Sequence, residues 1–144
     1  MTILDATATS PATPASPARA PEDLLEQFAV RVAAADLDGI VELYAADAVV
    51  SLPRGREAAG HAAIRAAFAA ALAAGVDLDV AQVCPPIVSG SLACTSATTP
   101  AGLVRTQVAR REPDGGWRWV RDGFRLREAI ACLPAMEVEG AEVA

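Results

Sequence analysis

An acidic residue near the end of the chain, Asp122, is the strongest candidate for chemistry in this sequence. It lies in an alternating segment from Trp117 to Leu126, which predicts a β-strand with side chains pointing to opposite faces in turn. The alternation places it on one face with Arg118, Val120 and Phe124. A carboxyl group among apolar side chains is a candidate general acid or base. The alternative is a structural ion pair, for instance with Arg105 or Arg118.

Two further polar side chains could take part in such chemistry. Gln107 lies on the strand predicted over Leu103 to Arg111, where its amide could orient a ligand carbonyl or simply be solvated at the sheet face. His61, the only histidine, begins a predicted helix, and the positive end of the helix dipole disfavours its protonation. We therefore interpret His61 as an exposed first-turn residue rather than a catalytic base.

Composition excludes several function classes. The formal charge of −6 argues against general nucleic-acid binding, which depends on neutralising phosphates. No window is apolar enough for a membrane helix, and the first twenty residues lack the pattern of a signal peptide, so we expect a soluble cytoplasmic protein. Three cysteines without metal-ligand spacing are expected to be buried free thiols, namely Cys84, Cys94 and Cys132. No metal or cofactor motif is present, so none is predicted.

Helices are predicted first along the chain. Residues 1–20, rich in Thr, Ala, Pro and Ser, predict a disordered arm. Pro21 opens a helix, and Asp36 caps a shorter one containing Ile40, Val41, Leu43 and Tyr44, with Tyr44 expected in the core. A short strand follows over residues 47–52, and a third helix from about His61 to Ala74 ends at Gly75.

Strands are predicted after Gly75. Their ranges are 76–83, 87–98, 103–111 and 117–126, with Pro85-Pro86 implying a bend or a sheet edge and residues 112–116 a hairpin loop. Residues 128–144 are expected to form a partly ordered acidic tail. Helices followed by an antiparallel meander predict an α+β fold.

Several of these segments together resemble a known superfamily. They are Asp36-Leu37-Asp38-Gly39, Ala46-Asp47-Ala48, the run from Gly60 to Arg65, and the closing hairpin DGGWRWVRDGF. The sequence over residues 22–126 resembles nuclear transport factor 2-like proteins, which include ketosteroid isomerases and SnoaL-like polyketide cyclases. The resemblance implies a domain over residues 21–127. It also implies a cone-shaped, curved antiparallel sheet of four to six strands packed against three N-terminal helices.

The resemblance also indicates which chemistry is missing. Ketosteroid isomerases use a carboxylate base with a Tyr and a protonated Asp at the oxyanion. The matching positions here hold Phe28 for the Tyr, Leu52 for the base and Gln107 for the protonated acid. Steroid-isomerase activity is therefore not expected. By resemblance, the strand face that carries Arg118, Val120, Asp122 and Phe124 lines the cone interior. The catalytic candidates are Asp122 and, as polar orienter, Gln107. The substrate-binding wall is expected to comprise Phe28, Tyr44, Leu52, Phe68, Arg105, Val120 and Phe124.

Two functions fit these residues. The first is a cofactor-independent enzyme that isomerises, cyclises or opens an epoxide of an apolar oxygenated metabolite, with Asp122 as acid or base. The second is a non-catalytic homodimer that binds a ligand or partner. By resemblance, the outer sheet face forms the dimer interface, and Trp117 and Trp119 are expected there. Packing of these indoles under the C-terminal tail is the alternative.

Overall fold

Three helices cover one face of a curved, unclosed sheet. A computed structural model describes residues 17–123 and 125–127. Helix α1 spans Pro21–Ala33 and begins with a proline and two carboxylates, as predicted. Helix α2 spans Leu37–Glu42 and is capped by Asp36, whose side chain accepts a hydrogen bond from the Gly39 amide. The cap confirms the sequence prediction. The predicted helical position of Tyr44 is wrong, because that residue begins the first strand.

Helix α3 spans Gly60–Ala73, within one residue of the prediction. Its buried stripe consists of Ile64, Phe68 and Ala71. Gly75 follows with a φ of 70°, a left-handed conformation that glycine adopts without steric cost at a helix end. The stripe faces the first strand, β1, which spans Tyr44–Ser51, so α3 closes one end of the core.

The six strands form one sheet in the order β2-β1-β6-β5-β4-β3. Their ranges are β1 Tyr44–Ser51, β2 Glu57–Ala59, β3 Gln82–Ser89, β4 Leu92–Thr98, β5 Val104–Arg111 and β6 Trp117–Asp122. All neighbours are antiparallel except β1 and β6, which are parallel. The α+β class and the number of strands agree with the prediction.

Strand β3 differs most from the sequence prediction. The alternating segment 76–83 is largely irregular, and the strand instead begins at Gln82 and runs through Pro85-Pro86. This is possible because β3 lies at the sheet edge and its register with β4 shifts between Cys84 and Ile87. A turn at residues 90–91 separates β3 from β4, where one strand over 87–98 was predicted.

A β-bulge in β6 determines which side chains face the core. Val108 pairs with Arg121 while Ala109 pairs with Trp119, so Val120 is an extra residue in β6. Trp117, Trp119 and Asp122 consequently all lie on the helix-covered side, and Arg118 lies on the other. The predicted grouping of Arg118 with Asp122 is therefore wrong, because simple alternation does not anticipate an inserted residue.

The helices cover only one of the two sides of β4–β6. The inner face is the helix-covered side and comprises Ala93, Thr95, Ala97, Arg105, Gln107, Ala109, Trp117, Trp119 and Asp122. The outer face is the opposite side and includes Leu92, Cys94, Val104, Thr106, Val108, Arg118 and Arg121. Strand β6 ends at Asp122 rather than continuing to residue 126, and residues 125–127 are helical.

Two features concern the chain termini and the membrane prediction. Ala18, inside the predicted arm, forms an isolated β-bridge with Trp117 and is buried. Residues 1–16 and the predicted tail, 128–144, lie outside the described residues. Among the helices of the described residues, none has both the length and the hydropathy required to traverse a bilayer.

Candidate functional site

A buried group of three side chains, Tyr44, Asp122 and Arg125, forms the centre of the candidate site. The Tyr44 hydroxyl donates to Asp122 Oδ2 at 2.7 Å, and Arg125 Nη1 donates to the same oxygen at 2.9 Å. Arg125 Nη1 also lies 3.1 Å from the tyrosine oxygen, which accepts its hydrogen bond. The Asp122 and Arg125 side chains are only 0% and 2% exposed. We call these three residues the ion-pair cluster.

Asp122 also determines the backbone around it. Its Oδ1 accepts a hydrogen bond from the backbone N–H of Arg125 at 3.1 Å. A side-chain oxygen that bonds an N–H three residues later is the geometry of a helix cap, and residues 125–127 are helical. One carboxylate therefore holds both the backbone and the guanidinium of Arg125.

The ion pair predicted as an alternative for Asp122 is present, but with a different arginine. Arg118, on the outer face, pairs with Asp114 at 3.0 Å. Arg105 is buried on the inner face of β5, and the ion pair that the structure gives Asp122 is with Arg125. Arg125 was missed because its position depends on where β6 ends. Its spacing of three residues from Asp122, typical of a capped turn, is the signal that could have identified it.

Aromatic rings surround the guanidinium of Arg125. Its central carbon lies 3.9 Å from the Phe28 ring centroid and 4.9 Å from the Trp119 ring, within cation–π range. The rings of Phe28 and Phe68 are 6.0 Å apart, and those of Tyr44 and Trp119 are 5.3 Å apart. The predicted wall residues Phe28, Tyr44 and Phe68 are thus fully buried beside the ion-pair cluster.

Burial keeps Tyr44 in its neutral form. Removal from water is the main cause that raises the pKa of the Tyr44 hydroxyl well above its ordinary value, and the negative charge of Asp122 adds to this effect. Arg125 acts in the opposite sense with a smaller effect. Tyr44 is therefore a hydrogen-bond donor to Asp122, and its hydroxyl is satisfied as expected from the sequence.

A second polar chain crosses the inner face next to the ion-pair cluster. Trp119 Nε1 donates to Thr95 Oγ1 at 2.9 Å, and the Thr95 hydroxyl donates to Gln107 Oε1 at 3.0 Å. We call these three residues the polar relay. Because Thr95 accepts from Trp119, its own proton is available for Gln107, and this orients the glutamine amide.

The relay leaves one donor of Gln107 without a hydrogen bond. Its Nε2 is buried and bonds no described residue, although the residue is only 1% exposed. Gln107 is also the cross-strand partner of Asp122, so the relay and the ion-pair cluster adjoin. The structure thus brings together the two predicted catalytic residues, Gln107 and Asp122. Thr95, which the sequence prediction missed, connects Gln107 to Trp119.

The other predicted residues lie in less direct positions. Leu52 follows β1 and packs partly buried against the core, and Val120 is buried at the bulge. Phe124 lies outside the described residues. His61 is exposed as predicted, and its Nε2 donates to the Tyr44 carbonyl at 2.7 Å, which ties the start of α3 to β1.

The predicted position of the two tryptophans on the outer face is wrong. Trp117 and Trp119 are buried on the inner face, with Trp119 0% exposed, so they do not form an external interface. The bulge in β6 and the bridge from Ala18 are the physical reasons.

Cys84 and Cys94 are free thiols but are partly exposed rather than buried as predicted, because they lie toward the open edge of the sheet. Cys132 lies outside the described residues.

The outer face carries aliphatic side chains instead of the tryptophans. Exposed members include Leu92, Val104 and Val108, together with Ile87 of β3, which is 74% exposed and opposite Cys94. A shallow depression lies among the β3–β5 side chains Ile87, Leu92, Cys94 and Val108. The homodimer stays a prediction, now without its expected tryptophan contacts.

Comparisons with known families agree with this geometry. The family model described as SnoaL-like domain matches residues 25–129, which includes most of α1, the whole sheet and the ion-pair cluster. The chain belongs to the SnoaL-like domain family. No curated protein matches the sequence significantly.

Solved structures share the fold at low sequence identity. A ketosteroid isomerase-like protein from Erwinia carotovora atroseptica matches with a TM-score of 0.56 and 18% identity, over 71% of this chain and 89% of that one. A putative calcium/calmodulin-dependent protein kinase type II association domain from Thiobacillus denitrificans gives 0.60 and 20%, over 76% and 96%. A nuclear transport factor 2-like protein with a cystatin-like fold from Novosphingobium aromaticivorans gives 0.55 and 21%, over 71% and 76%. These likenesses confirm the fold of the SnoaL-like domain.

The site offers hydrogen-bond donors in an enclosed apolar setting. Both oxygens of Asp122 are engaged by Arg125, and Oδ2 also accepts from Tyr44. Among the described residues, no three His, Cys, Asp or Glu side chains are grouped as metal ligands would be. The chemistry that these side chains offer is therefore recognition of an oxygen atom by an N–H group.

Proposed function

We propose that this SnoaL-like domain binds a small oxygenated molecule at the inner face, without using Asp122 as a general acid or base. The observation that carries the proposal is the engagement of the Asp122 carboxylate. Its Oδ2 accepts from Tyr44 and Arg125, and its Oδ1 accepts from the Arg125 backbone. The chain's own donors therefore occupy at least three of the roughly four acceptor positions of this carboxylate.

The energetics of the ion pair favour a structural role for Asp122. Its carboxylate is the counter-charge of the Arg125 guanidinium, which is 2% exposed. Removing one partner of a buried ion pair is strongly destabilising, so the pair is part of what stabilises the fold. Both carboxylate oxygens bond Arg125 for that purpose.

Gln107 supports ligand binding at the same place. Its Nε2 is a buried donor with no bond to a described residue, and such a group costs about 1–3 kcal/mol when left unpaired. A ligand carbonyl beside Gln107 would remove this cost. The neighbouring inner-face residues Ala93, Ala97 and Ala109 are buried and carry small side chains without polar groups.

An acid–base enzyme is the second candidate, and the Gln107 donor is the observation that favours it. A fixed N–H group in a dry site stabilises the oxyanion of an enolate or a tetrahedral intermediate. Proton transfer would then have to come from a group outside the ion-pair cluster. The two candidates share a ligand oxygen at Gln107 and differ in whether bound ligand reacts.

Tryptophan fluorescence tests the binding site. The chain has two tryptophans, so the Trp117→Phe variant leaves Trp119, which belongs to the polar relay, as the only indole. Titration with cyclohexanone and acetophenone is expected to give a saturable change. Gln107→Leu is expected to weaken binding about tenfold, because one hydrogen bond is lost. Gln82→Leu, at the exposed start of β3, is the matched control.

Hydrogen exchange distinguishes binding from catalysis. In D2O, the α-protons of acetophenone should exchange at the buffer rate in the presence of the protein. Faster exchange that Asp122→Asn abolishes would assign Asp122 as a base and contradict the proposal. Equal ketone affinity in the parent protein and in Gln107→Leu would contradict the proposed binding site.

A further inference from the structure

Arg125 has a second feature that its structural role does not use. Its Nη1 is engaged by Asp122 and Tyr44, but its Nε is buried and bonds no described residue. An arginine presents its donors in a planar fork, so the Nε–H points away from the Nη1 that binds Asp122. The guanidinium cannot turn freely, because it is packed against the rings of Phe28 and Trp119.

The two residues that carry these unbonded donors both neighbour Asp122. Gln107 is the cross-strand partner of Asp122, and Arg125 forms an ion pair with it. Gln107 Nε2 and Arg125 Nε therefore belong to residues that meet at one buried carboxylate. Buried polar groups are nearly always hydrogen-bonded, so two unbonded donors on neighbouring residues indicate a missing acceptor.

We infer that the ligand at the inner face is an anion whose planar carboxylate group is held by Gln107 Nε2 and Arg125 Nε. This inference rests on the proposed binding function and names the class of its ligand. A carboxylate offers acceptors and no donor, which matches two N–H groups. Hydrogen bonds between a guanidinium and an anionic oxygen are also stronger than those between neutral groups.

A cationic ligand is the opposite possibility, because aromatic rings and a carboxylate also form a cation site. Here that site is filled by the chain itself. The guanidinium of Arg125 occupies the ring faces of Phe28 and Trp119 and the Oδ2 of Asp122. A ligand cation would have to displace Arg125, whereas an anion would bind beside it.

Three probes of the same shape test the charge of the ligand. Benzoate, benzamide and benzamidinium have the same planar outline and carry charges of about −1, 0 and +1 at neutral pH. They are titrated into the Trp117→Phe protein, with Trp119 fluorescence and isothermal calorimetry as readouts. We expect benzoate to bind about tenfold more tightly than benzamide, and benzamidinium to bind most weakly. Tighter binding of benzamidinium would overturn the inference.

Two variants locate the contact. Gln107→Leu removes the Nε2 donor, and Arg125→Lys retains a cation for Asp122 but removes the Nε donor. Each is expected to weaken benzoate binding about tenfold and to change benzamidinium binding little. Arg121→Lys, on the exposed outer face, is the matched control. Since Arg125→Lys could lower stability, Gln107→Leu keeps the inference testable by itself.

The outcomes separate this inference from the proposed function. Equal affinity for benzoate and benzamide, lost in Gln107→Leu, would keep the binding site and contradict an anionic ligand. Saturable binding of benzoate that Gln107→Leu leaves unchanged would contradict the assigned contact. If none of the three probes nor the two ketones binds at about 10 mM, both the inference and the proposed function fail.

Discussion

The inner and outer faces of β4–β6 are built by the same strands but have opposite compositions. The inner face combines small apolar side chains with polar groups that are almost completely buried, including Thr95, Gln107 and Asp122. The outer face exposes aliphatic side chains such as Val104 and Val108. A one-sided sheet usually buries apolar and exposes polar side chains, and each face of this sheet carries residues that depart from that pattern.

The difference shows on which face of the sheet polar groups need a hydrogen-bond or ion-pair partner. On the inner face a buried polar group is costly without a partner, and the ion-pair cluster and the polar relay supply partners for most of these groups. On the outer face water solvates the chain, so its residues have few such constraints. The same kind of substitution should therefore lower the free energy of unfolding much more on the inner face than on the outer face.

The largest effect is expected from breaking the ion-pair cluster. Asp122→Ala leaves the buried Arg125 guanidinium without its carboxylate and should lower the free energy of unfolding by about 3–5 kcal/mol. Urea unfolding followed by tryptophan fluorescence measures this. Asp114→Ala, which removes the partner of Arg118 on the exposed side, should cost at most about 1 kcal/mol. Similar losses for both variants would mean that the two faces do not differ.

A smaller effect is expected from the polar relay. Thr95→Val has nearly the same shape but removes the hydroxyl that bonds both Trp119 and Gln107. Leaving these two buried groups unpaired should destabilise the protein by about 2 kcal/mol. The same substitution on the opposite face, Thr106→Val, should change stability by less than about 0.5 kcal/mol. If the Thr106 variant proved as unstable as the Thr95 variant, the relay would have no special role.

Alkaline pH should lower the free energy of unfolding because of Tyr44. Burial raises the pKa of Tyr44 in the folded state, so the folded chain keeps a proton that the unfolded chain loses. The stabilisation is fully present below the ordinary tyrosine pKa of about 10 and is lost as pH rises through the folded pKa. The free energy of unfolding should fall by up to about 1.4 kcal/mol per pH unit in that window.

Tyr44 is the only tyrosine, so the ultraviolet absorbance of the phenolate reports the ionisation of this residue alone. The absorbance should rise together with unfolding rather than before it. Tyr44→Phe should remove most of the tyrosine-dependent slope. A phenolate signal with an ordinary pKa in the folded protein would contradict the buried hydrogen bond to Asp122.

The smallest effect is expected on the outer face. Val108→Thr replaces an exposed valine with a side chain of equal shape and should change stability by less than about 0.5 kcal/mol at any protein concentration. A loss that grows as the protein is concentrated would mean that a second copy covers this face. Sedimentation equilibrium on the parent protein checks the same point.

Local rules predicted the elements that depend on a few neighbouring residues. The cap at Asp36, the end of α3 near Gly75 and the hairpin after β5 follow from capping and turn chemistry, and the structure agrees. The resemblance to SnoaL-like proteins predicted the α+β cone and placed Asp122 inside it, where the structure buries that residue. These features can be recognised in sequence because each depends on contacts within a short segment.

The remaining features depend on long-range contacts. The bulge at Val120 inverts the alternation of β6, and only the pairing with β5 reveals it. The tryptophans were placed outside for that reason. The partner of Asp122 could not be chosen from seven nearby arginines until the end of β6 was known. Thr95 lies twelve residues before Gln107, so the relay appears only once β4 and β5 are paired.

A crystal structure of the protein with benzoate tests the central claim most directly. We predict that the carboxylate lies within hydrogen-bond distance of Gln107 Nε2 and Arg125 Nε, while Asp122 keeps its bonds to Tyr44 and Arg125. Benzoate on the outer face, or a water molecule alone beside Gln107 and Arg125, would contradict the account. So would a carboxylate that displaces Arg125 from Asp122.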